Sequence, residues 1–351
     1  MTFKLSMLFF PFYVRGTYRW SHLRISLLTS QKLPTRTKGF YEMLSESQQL
    51  TSLPRGNDAS QALKYVLITP ARNEAAFLEQ TIQAVVNQTL LPMKWVIVSD
   101  GSTDGTDEIV NRYAALHDWI ELVRMPERRE RHFAGKAGAI DAGRAKVAGL
   151  DYDVIGNLDA DITVDEEYFQ FLLNRFAENP RLGVAGTPFR EGSRQYDYRF
   201  TSTEHVSGAC QLFRKQCYED IGGYKAIKTG GIDTIAVITA RMKGWETRSF
   251  LEKACEHHRA MGSANHQGLM PVFKTGMQDY THGIDPVWQF FRCIYQMTRR
   301  PILLSGGLCL AGYLWAMASR KEIEVSAEFI RFRKVEHRRR LLSFFKSILP
   351  W

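Results

Sequence analysis

Short apolar runs alternate with longer stretches of helical periodicity from Lys64 to about residue 161. Runs rich in β-branched and aromatic residues predict strands, whereas apolar residues every three or four positions predict amphipathic helices. The predicted strands are KYVLITP, KWVIVSD, IELVRMP and YDVIGNLDAD. The predicted helices are EAAFLEQTIQAVVNQ, DGTDEIVNRYAALHD, with Thr103 or Asp104 as its N-cap, and GKAGAIDAGRAKVAGL. This alternation predicts an α/β fold with a Rossmann-like, mainly parallel sheet flanked by helices.

Composition divides the chain into three parts. Residues 1–60 begin apolar and basic and become polar and turn-rich, so we expect a poorly ordered leader and linker. A targeting segment and a true translation start at Met43 are the alternatives. Residues 61–260 contain the α/β pattern. Residues 261–351 are expected to form a helical region, and their uncharged stretch 302–319 suits a core helix, a re-entrant hairpin or a short membrane span.

The formal net charge of +9 is concentrated at the two ends of the chain. Residues 1–41 contain seven Lys or Arg and no acid, and residues 320–351 contain nine against four Glu. Because the middle is nearly balanced, the pattern disfavours a nucleic-acid groove and favours peripheral contact with an anionic membrane. The terminal segment AEFIRFRKVEHRRRLLSFFKSILPW could lie on such a membrane or pack on the α/β domain.

Cysteine usage bears on the compartment. The five cysteines are scattered and contain no CxxC pair, which disfavours a disulfide framework or a zinc site. We therefore expect a reducing, cytoplasmic location, on the inner face of the membrane if the basic ends contact lipid.

Polar residues follow several of the predicted strands, at the edge where ligands of parallel sheets bind. PARNE follows the first strand, SDGSTD the second, and DAD the fourth. Within VIGNLDADIT, Asp159 and Asp161 leave a buried strand one residue apart. Two such carboxylates can converge on a hard cation, Mn²⁺ or Mg²⁺, that substrate phosphates complete. A turn acid followed by a helix cap is the alternative explanation.

As an ordered set, PARNEAAFLEQTIQAVVNQTL, VIVSDGSTDGT, GKAGAIDAG and LDADI resemble family-2 glycosyltransferases of the GT-A fold over about residues 64–258. The resemblance implies an inverting enzyme that moves a sugar from a nucleotide diphosphate, with a UDP-sugar expected, to a hydroxyl group. It implies a carbohydrate or lipid-linked acceptor, in surface polysaccharide or glycolipid synthesis. A non-catalytic, membrane-associated scaffold with a degenerate nucleotide-sugar site is the alternative. A sugar-1-phosphate nucleotidyltransferase is disfavoured because TPARNEAAF lacks a glycine-rich loop.

The resemblance also implies roles for individual residues. Asp100 would accept the N3–H of a uracil-like base, and Asp161 would ligate the divalent metal. Asp233, in GGIDTIAVITARMKG, would be the general base, although it could equally be the N-cap of that helix. The other implied nucleotide-sugar contacts are Pro70, Ala71, Arg72, Glu74, Lys136 and Asp159. The implied acceptor-side contacts are Gly208, Ala209 and Gln211, and the further metal ligand is His257 or His258.

Two positions depart from the family pattern. Ser99 stands where the family commonly has the first of two acids, and Asp141 stands where an Asn is usual. Asp100 keeps the acid that the family places on the nucleotide base. The departures therefore put one side-chain contact in doubt and leave the expected fold unchanged.

Overall fold

The computed structural model describes residues 63–127, 134–192, 194–195, 202–259, 269–298 and 303–348. The predicted leader and linker, residues 1–60, lies outside the described residues. The strands are β1 (Tyr65–Ala71), β2 (Lys94–Asp100), β3 (Ile120–Met125), β4 (Val154–Leu158), β5 (Ile162–Thr163), β6 (Leu182–Gly186), β7 (Phe189–Glu191), β8 (Arg194–Gln195), β9 (Cys210–Arg214), β10 (Glu246–Ser249) and β11 (Cys255–His257). The helices are α1 (Leu78–Val86), α2 (Thr106–Ala114), α3 (Ala134–Val147), α4 (Tyr168–Glu178), α5 (Lys215–Ile221), α6 (Ile232–Met242), α7 (Met270–Thr281), α8 (Pro286–Met297), α9 (Leu304–Ala318) and α10 (Ala327–Ile348).

The main sheet has seven strands in the order β10–β6–β9–β4–β1–β2–β3. Its strands are parallel except β9, which runs antiparallel to both β4 and β6. The predicted mainly parallel α/β sheet is therefore confirmed. Both N-cap predictions for α2 are wrong, because Gly105 is the N-cap in a left-handed conformation. Asp104 nevertheless accepts a hydrogen bond from the Thr106 backbone N–H at 3.2 Å.

The central strands are buried on both faces, as expected for a parallel sheet covered by helices on each side. In β1, Tyr65 and Leu67 belong to one core layer, whereas Val66 and Ile68 belong to the other. Continuous apolar runs therefore form strands here, and polar groups enter the sheet at the strand ends.

A second sheet, in the order β5–β11–β7–β8, lies where the chain leaves β4. Strand β11 is antiparallel to β5 and parallel to β7. In this register His257 pairs with Ile162, next to Asp161. The small sheet thus joins the end of the DAD segment to the histidine pair almost a hundred residues later.

The C-terminal helices pack on the α/β domain. In the described residues of the 302–319 stretch, the structure has one helix, α9, and no helix in the described ranges is long and apolar enough to cross a membrane. Helix α10 is held on α6 by Arg241, whose guanidinium donates to both Glu336 carboxylate oxygens, at 2.8 and 3.2 Å. These two side chains are only 12% and 17% exposed. Phe329, at the start of α10, is buried in the second core layer. Of the two possibilities open for the terminal segment, packing on the domain is the one observed for α10.

The Arg241–Glu336 pair gives a stability prediction. We expect Glu336→Ala to lower the free energy of unfolding by about 3 kcal/mol, because it leaves a partly buried guanidinium without its carboxylate. Guanidinium chloride unfolding followed by circular dichroism measures the change. Glu328→Ala, on an exposed position of the same helix, is the matched control and should change stability by less than about 0.5 kcal/mol. Equal effects of the two substitutions would contradict the importance given to this ion pair.

Candidate active site

The loops after β1 and β2 are held together by reciprocal hydrogen bonds. The Asn73 backbone N–H donates to Ser102 Oγ at 3.1 Å, and the Thr103 backbone N–H donates to Asn73 Oδ1 at 2.9 Å. The Glu74 backbone N–H donates to Thr106 Oγ1 at 2.9 Å. Asn73 has a φ of 56°, a left-handed conformation that Asn adopts more readily than most residues. Local polar residues therefore fix the two loops relative to each other.

These hydrogen bonds between the two loops bring Arg72 to the end of β2. Its Nη1 lies 3.7 Å from Asp100 Oδ2, and both side chains are mostly buried. Pro70 and Ala71 are the last residues of β1, beside Val98 and Ser99 of β2. Four of the predicted nucleotide contacts, at positions 70, 71, 72 and 100, therefore lie at one edge of the sheet.

Lys136, in the first turn of α3, contacts the carboxylate of Asp159, the residue directly after β4. Its Nζ lies 2.5 Å from Asp159 Oδ1, in a recess where the two side chains are 33% and 25% exposed. Burial opposes the charge of Lys136, but Asp159, followed by Asp233 and Asp161, raises the pKa of this ammonium above its usual value overall. The charges of three carboxylates thus favour the ammonium form of Lys136, and Asp159 is the one in direct contact with it.

Asp233 lies in the first turn of α6, against the segment that precedes β9. The helix begins at Ile232 with Gly231 as N-cap, so the N-cap explanation for Asp233 is wrong. A Cβ atom on Gly208 would lie 2.6 Å from Asp233 Oδ2, so only glycine allows this approach. The neighbouring Ala209 carbonyl accepts a hydrogen bond from the Asp159 backbone N–H at 2.9 Å. Gly208 and Ala209 therefore connect the predicted base to the predicted metal and sugar region.

Gln211 occupies a different position from the other two predicted acceptor residues. It is fully buried, its Nε2 donates to the Val206 carbonyl, and its Oε1 accepts from the Tyr224 hydroxyl. Its amide is engaged inside the domain, so it is not available for a contact with an acceptor.

The histidine pair is separated by strand alternation. His257 Nε2 lies 3.6 Å from Asp161 Oδ2, whereas His258 Nε2 shares a hydrogen bond with Thr163 Oγ1 at 2.8 Å. The His258 backbone N–H also donates to the Asp161 carbonyl at 3.0 Å. Of the two alternatives, His257 is therefore the one that faces the predicted metal carboxylate.

Arg259 lies on the other side of Asp161. Its guanidinium is paired with Glu74, and its Nε lies 3.6 Å from Asp161 Oδ2. Glu74, a predicted nucleotide contact after β1, is thereby connected to the end of the DAD segment. Arg259 therefore places a cation next to the predicted metal carboxylate.

The donor set suits a divalent metal only in part. Among the described residues, no three His, Cys, Asp or Glu side chains form a group that could hold a metal ion. His258 is bonded to Thr163, so His257 is the histidine left to accompany Asp161. Asp161 and His257 do fit as a pair, since a carboxylate oxygen and an imidazole nitrogen face each other. Substrate phosphates and water commonly complete such a site.

Two residues near these groups were missed in the sequence. The Glu191 carboxylate lies 3.9 Å from His257 Nδ1, which is buried and has no hydrogen-bond partner among the described residues. Burial lowers the pKa of His205, whereas the charge of Asp233 acts in the opposite direction, so these two groups interact. Glu191 ends a three-residue strand and His205 lies 28 positions before Asp233, so no spacing in the sequence marked either one.

Comparisons with known proteins find relatives of the α/β domain. Residues 66–237 match the family described as Glycosyl transferase family 2. A poly-beta-1,6-N-acetyl-D-glucosamine synthase from Staphylococcus epidermidis is 25% identical over 170 residues, which are 43% of this chain and 39% of that protein. The synthase of the same name from Staphylococcus aureus strain COL is 26% identical over the same shares. The chain thus matches less than half the length of these relatives.

A solved structure has the same fold. A mannosyltransferase from Pyrobaculum calidifontis, in complex with GDP-Man and Mn²⁺, superposes with a TM-score of 0.50 over 84% of this chain and 83% of its own, at 18% identity. At this identity the likeness concerns the fold alone, which is the GT-A fold. The family match shows that residues 66–237 form a glycosyl transferase family 2 domain, so the chain is a glycosyltransferase.

Proposed function

We propose that this glycosyltransferase transfers a sugar from a UDP-sugar to a hydroxyl group with inversion at the anomeric carbon. The observation that carries the proposal is the contact of Lys136 with Asp159, whose backbone is hydrogen-bonded to Ala209, next to the Gly208 that packs against Asp233. Asp100, which lies beside Arg72 at the end of β2, would accept the N3–H of the uracil base. The relatives named for N-acetylglucosamine polymers make UDP-N-acetylglucosamine the first donor to test.

Asp233 supplies the base in this proposal. It accepts the proton of the acceptor hydroxyl while that oxygen attacks the anomeric carbon in line with the departing nucleoside diphosphate. Gly208 gives the acceptor oxygen access to the carboxylate, because no side chain stands between them at that position.

Asp161 and His257 would hold a divalent cation, Mn²⁺ or Mg²⁺, with Asp159 beside them. When bound, the cation would offset the negative charge that develops on the leaving diphosphate. Lys136 and Arg259 add fixed positive charge near the same position. Glu191 would orient His257 through its other ring nitrogen, as carboxylates commonly do for metal-binding histidines.

The acceptor in this proposal is a carbohydrate or a lipid-linked saccharide, and the reaction belongs to surface polysaccharide or glycolipid synthesis on the cytoplasmic side of the membrane. The names of the polysaccharide synthases among the relatives support this class. Because the chain matches less than half of those proteins, polymerisation itself is not carried over to it.

The first prediction concerns the base. Asp233→Asn should reduce the rate of transfer about 10²- to 10⁴-fold, because the amide cannot accept the hydroxyl proton, while donor binding persists. Transfer from UDP-N-acetylglucosamine with Mn²⁺ measures the rate. Asp151→Asn, whose side chain is 96% exposed, is the control and should retain activity. Full activity in Asp233→Asn would exclude this residue as the base.

The second prediction concerns the space beside the base. Gly208→Ala should reduce the rate about 10²-fold, because the added methyl group displaces the carboxylate from its position. The donor dissociation constant, measured by calorimetry, should change little. Gly149→Ala is the control, since a Cβ there would meet no atom within 4 Å. If Gly208→Ala weakened only donor binding, the acceptor-side assignment would be wrong.

The third prediction separates the two histidines. His257→Ala should weaken Mn²⁺ binding about 10- to 100-fold, whereas His258→Ala should remain close to the wild type. Electron paramagnetic resonance of free Mn²⁺ measures the affinity, and the rise in melting temperature with Mn²⁺ and UDP-sugar provides a second readout. Greater weakening by His258→Ala than by His257→Ala would contradict the assignment made from the geometry.

A further inference from the structure

Helix α9 is apolar on every side, which is unusual for a helix at the surface of a globular domain. One face of the helix is buried against its neighbours and consists of Gly306, Cys309, Gly312, Tyr313 and Ala316. The face turned away from those contacts contains no charged or polar side chain. Its residues are Leu304, Gly307, Leu308, Ala311, Leu314, Trp315 and Ala318.

The inner face of α9 meets α7 at two glycines, where there is no room for a side chain. A Cβ on Gly276 of α7 would lie 1.9 Å from the Cys309 carbonyl oxygen, and a Cβ on Gly312 would lie 2.0 Å from the Phe273 carbonyl oxygen. Such backbone-to-backbone packing through glycine is frequent between helices in membranes. It fixes α9 rigidly on α7, so the opposite face stays outward.

The outer face is exposed although burial would be favourable for it. Trp315 is 58% exposed and Leu304 is 53% exposed, and Leu314 and Met317 also project from the helix. Isolated exposed apolar residues are ordinary, but a contiguous apolar face on a rigid helix indicates an interaction site.

The charges that follow α9 in the chain, together with its apolar face, favour lipid as the partner. Arg320 and Lys321 follow the helix directly and are exposed, as is the next residue, Glu322. The following helix, α10, has five exposed cations against one exposed acid, Glu328: Arg331, Lys334, Arg338, Arg339 and Lys346. Basic residues next to an apolar face with a tryptophan suit the interface of an anionic bilayer, where the ring lies at headgroup level.

The length of α9 decides between spanning and lying on the bilayer. Fifteen residues extend about 22 Å, which is shorter than a hydrocarbon core of about 30 Å. We propose that the outer face of α9 lies in the interface of an anionic membrane and, with the basic residues that follow it, attaches the enzyme peripherally. This inference concerns a surface distinct from the proposed active site and does not depend on the donor or on the chemistry.

Vesicle binding of the full chain tests the inference. Co-sedimentation with phosphatidylcholine vesicles, with and without phosphatidylglycerol, should show binding that needs the anionic lipid and weakens with salt. The double variant Leu314→Glu/Trp315→Glu should bind at least about tenfold more weakly, because the transfer of one large apolar side chain already changes a partition constant by about that factor. Leu116→Glu, at an apolar residue that is 76% exposed in the α/β domain, is the matched control and should bind as the wild type does.

A second measurement keeps the test independent of folding. Trp315→Phe keeps an apolar face, so vesicle binding should persist, while the quenching of tryptophan fluorescence by brominated lipid should fall markedly. The proposal would be overturned if the wild type did not bind the vesicles, or if the double variant bound them as strongly as the wild type. Unchanged quenching in Trp315→Phe would also overturn it. A lipid-free dimer, seen by light scattering and dissociated by the double variant, would show that a second copy of the chain covers the face and would also overturn it.

Discussion

Repulsion between carboxylates that are partly shielded from water is the constraint on which this site depends. Asp159, Asp161 and Asp233 come from two distant segments of the chain, yet all three act on the Lys136 ammonium. Gathering like charges in a recess costs free energy unless cations neutralise them. Lys136 meets Asp159 directly, and Arg259 lies beside Asp161. The fold maintains this arrangement through the parallel sheet, because strand ends converge there, and through the second sheet, which returns His257 to Asp161.

Local sequence was sufficient for the first four strands of the main sheet and for the polar residues at their ends. Apolar runs buried on both faces leave little freedom in where a strand ends, so Asp100 and Asp159 could be placed correctly at strand ends from the pattern alone. Glycines in left-handed conformations were harder to anticipate. Gly105 is the N-cap of α2, where the sequence predicted Thr103 or Asp104, and Gly231 is the N-cap of α6, which places Asp233 in the first turn of that helix.

Contacts between distant segments could not be predicted from the sequence. Strand β9 enters the sheet antiparallel between β4 and β6, so Gln211 is covered from both sides instead of facing a sugar. The choice between His257 and His258 follows from the pairing of β11 with β5, and the proximity of Glu191 follows from the pairing of β11 with β7. The Arg241–Glu336 pair joins residues 95 positions apart, which is why the packing of α10 stayed open until its contacts were seen.

The central claim is that Asp233 deprotonates an acceptor which attacks opposite the leaving diphosphate, and the stereochemistry of the product tests it most directly. Proton NMR of the sugar released or transferred from an α-linked UDP-sugar in the presence of Mn²⁺ identifies the first anomer formed. The account predicts the β-anomer. A product that appears first as the α-anomer would contradict the single in-line displacement and the role given to Asp233.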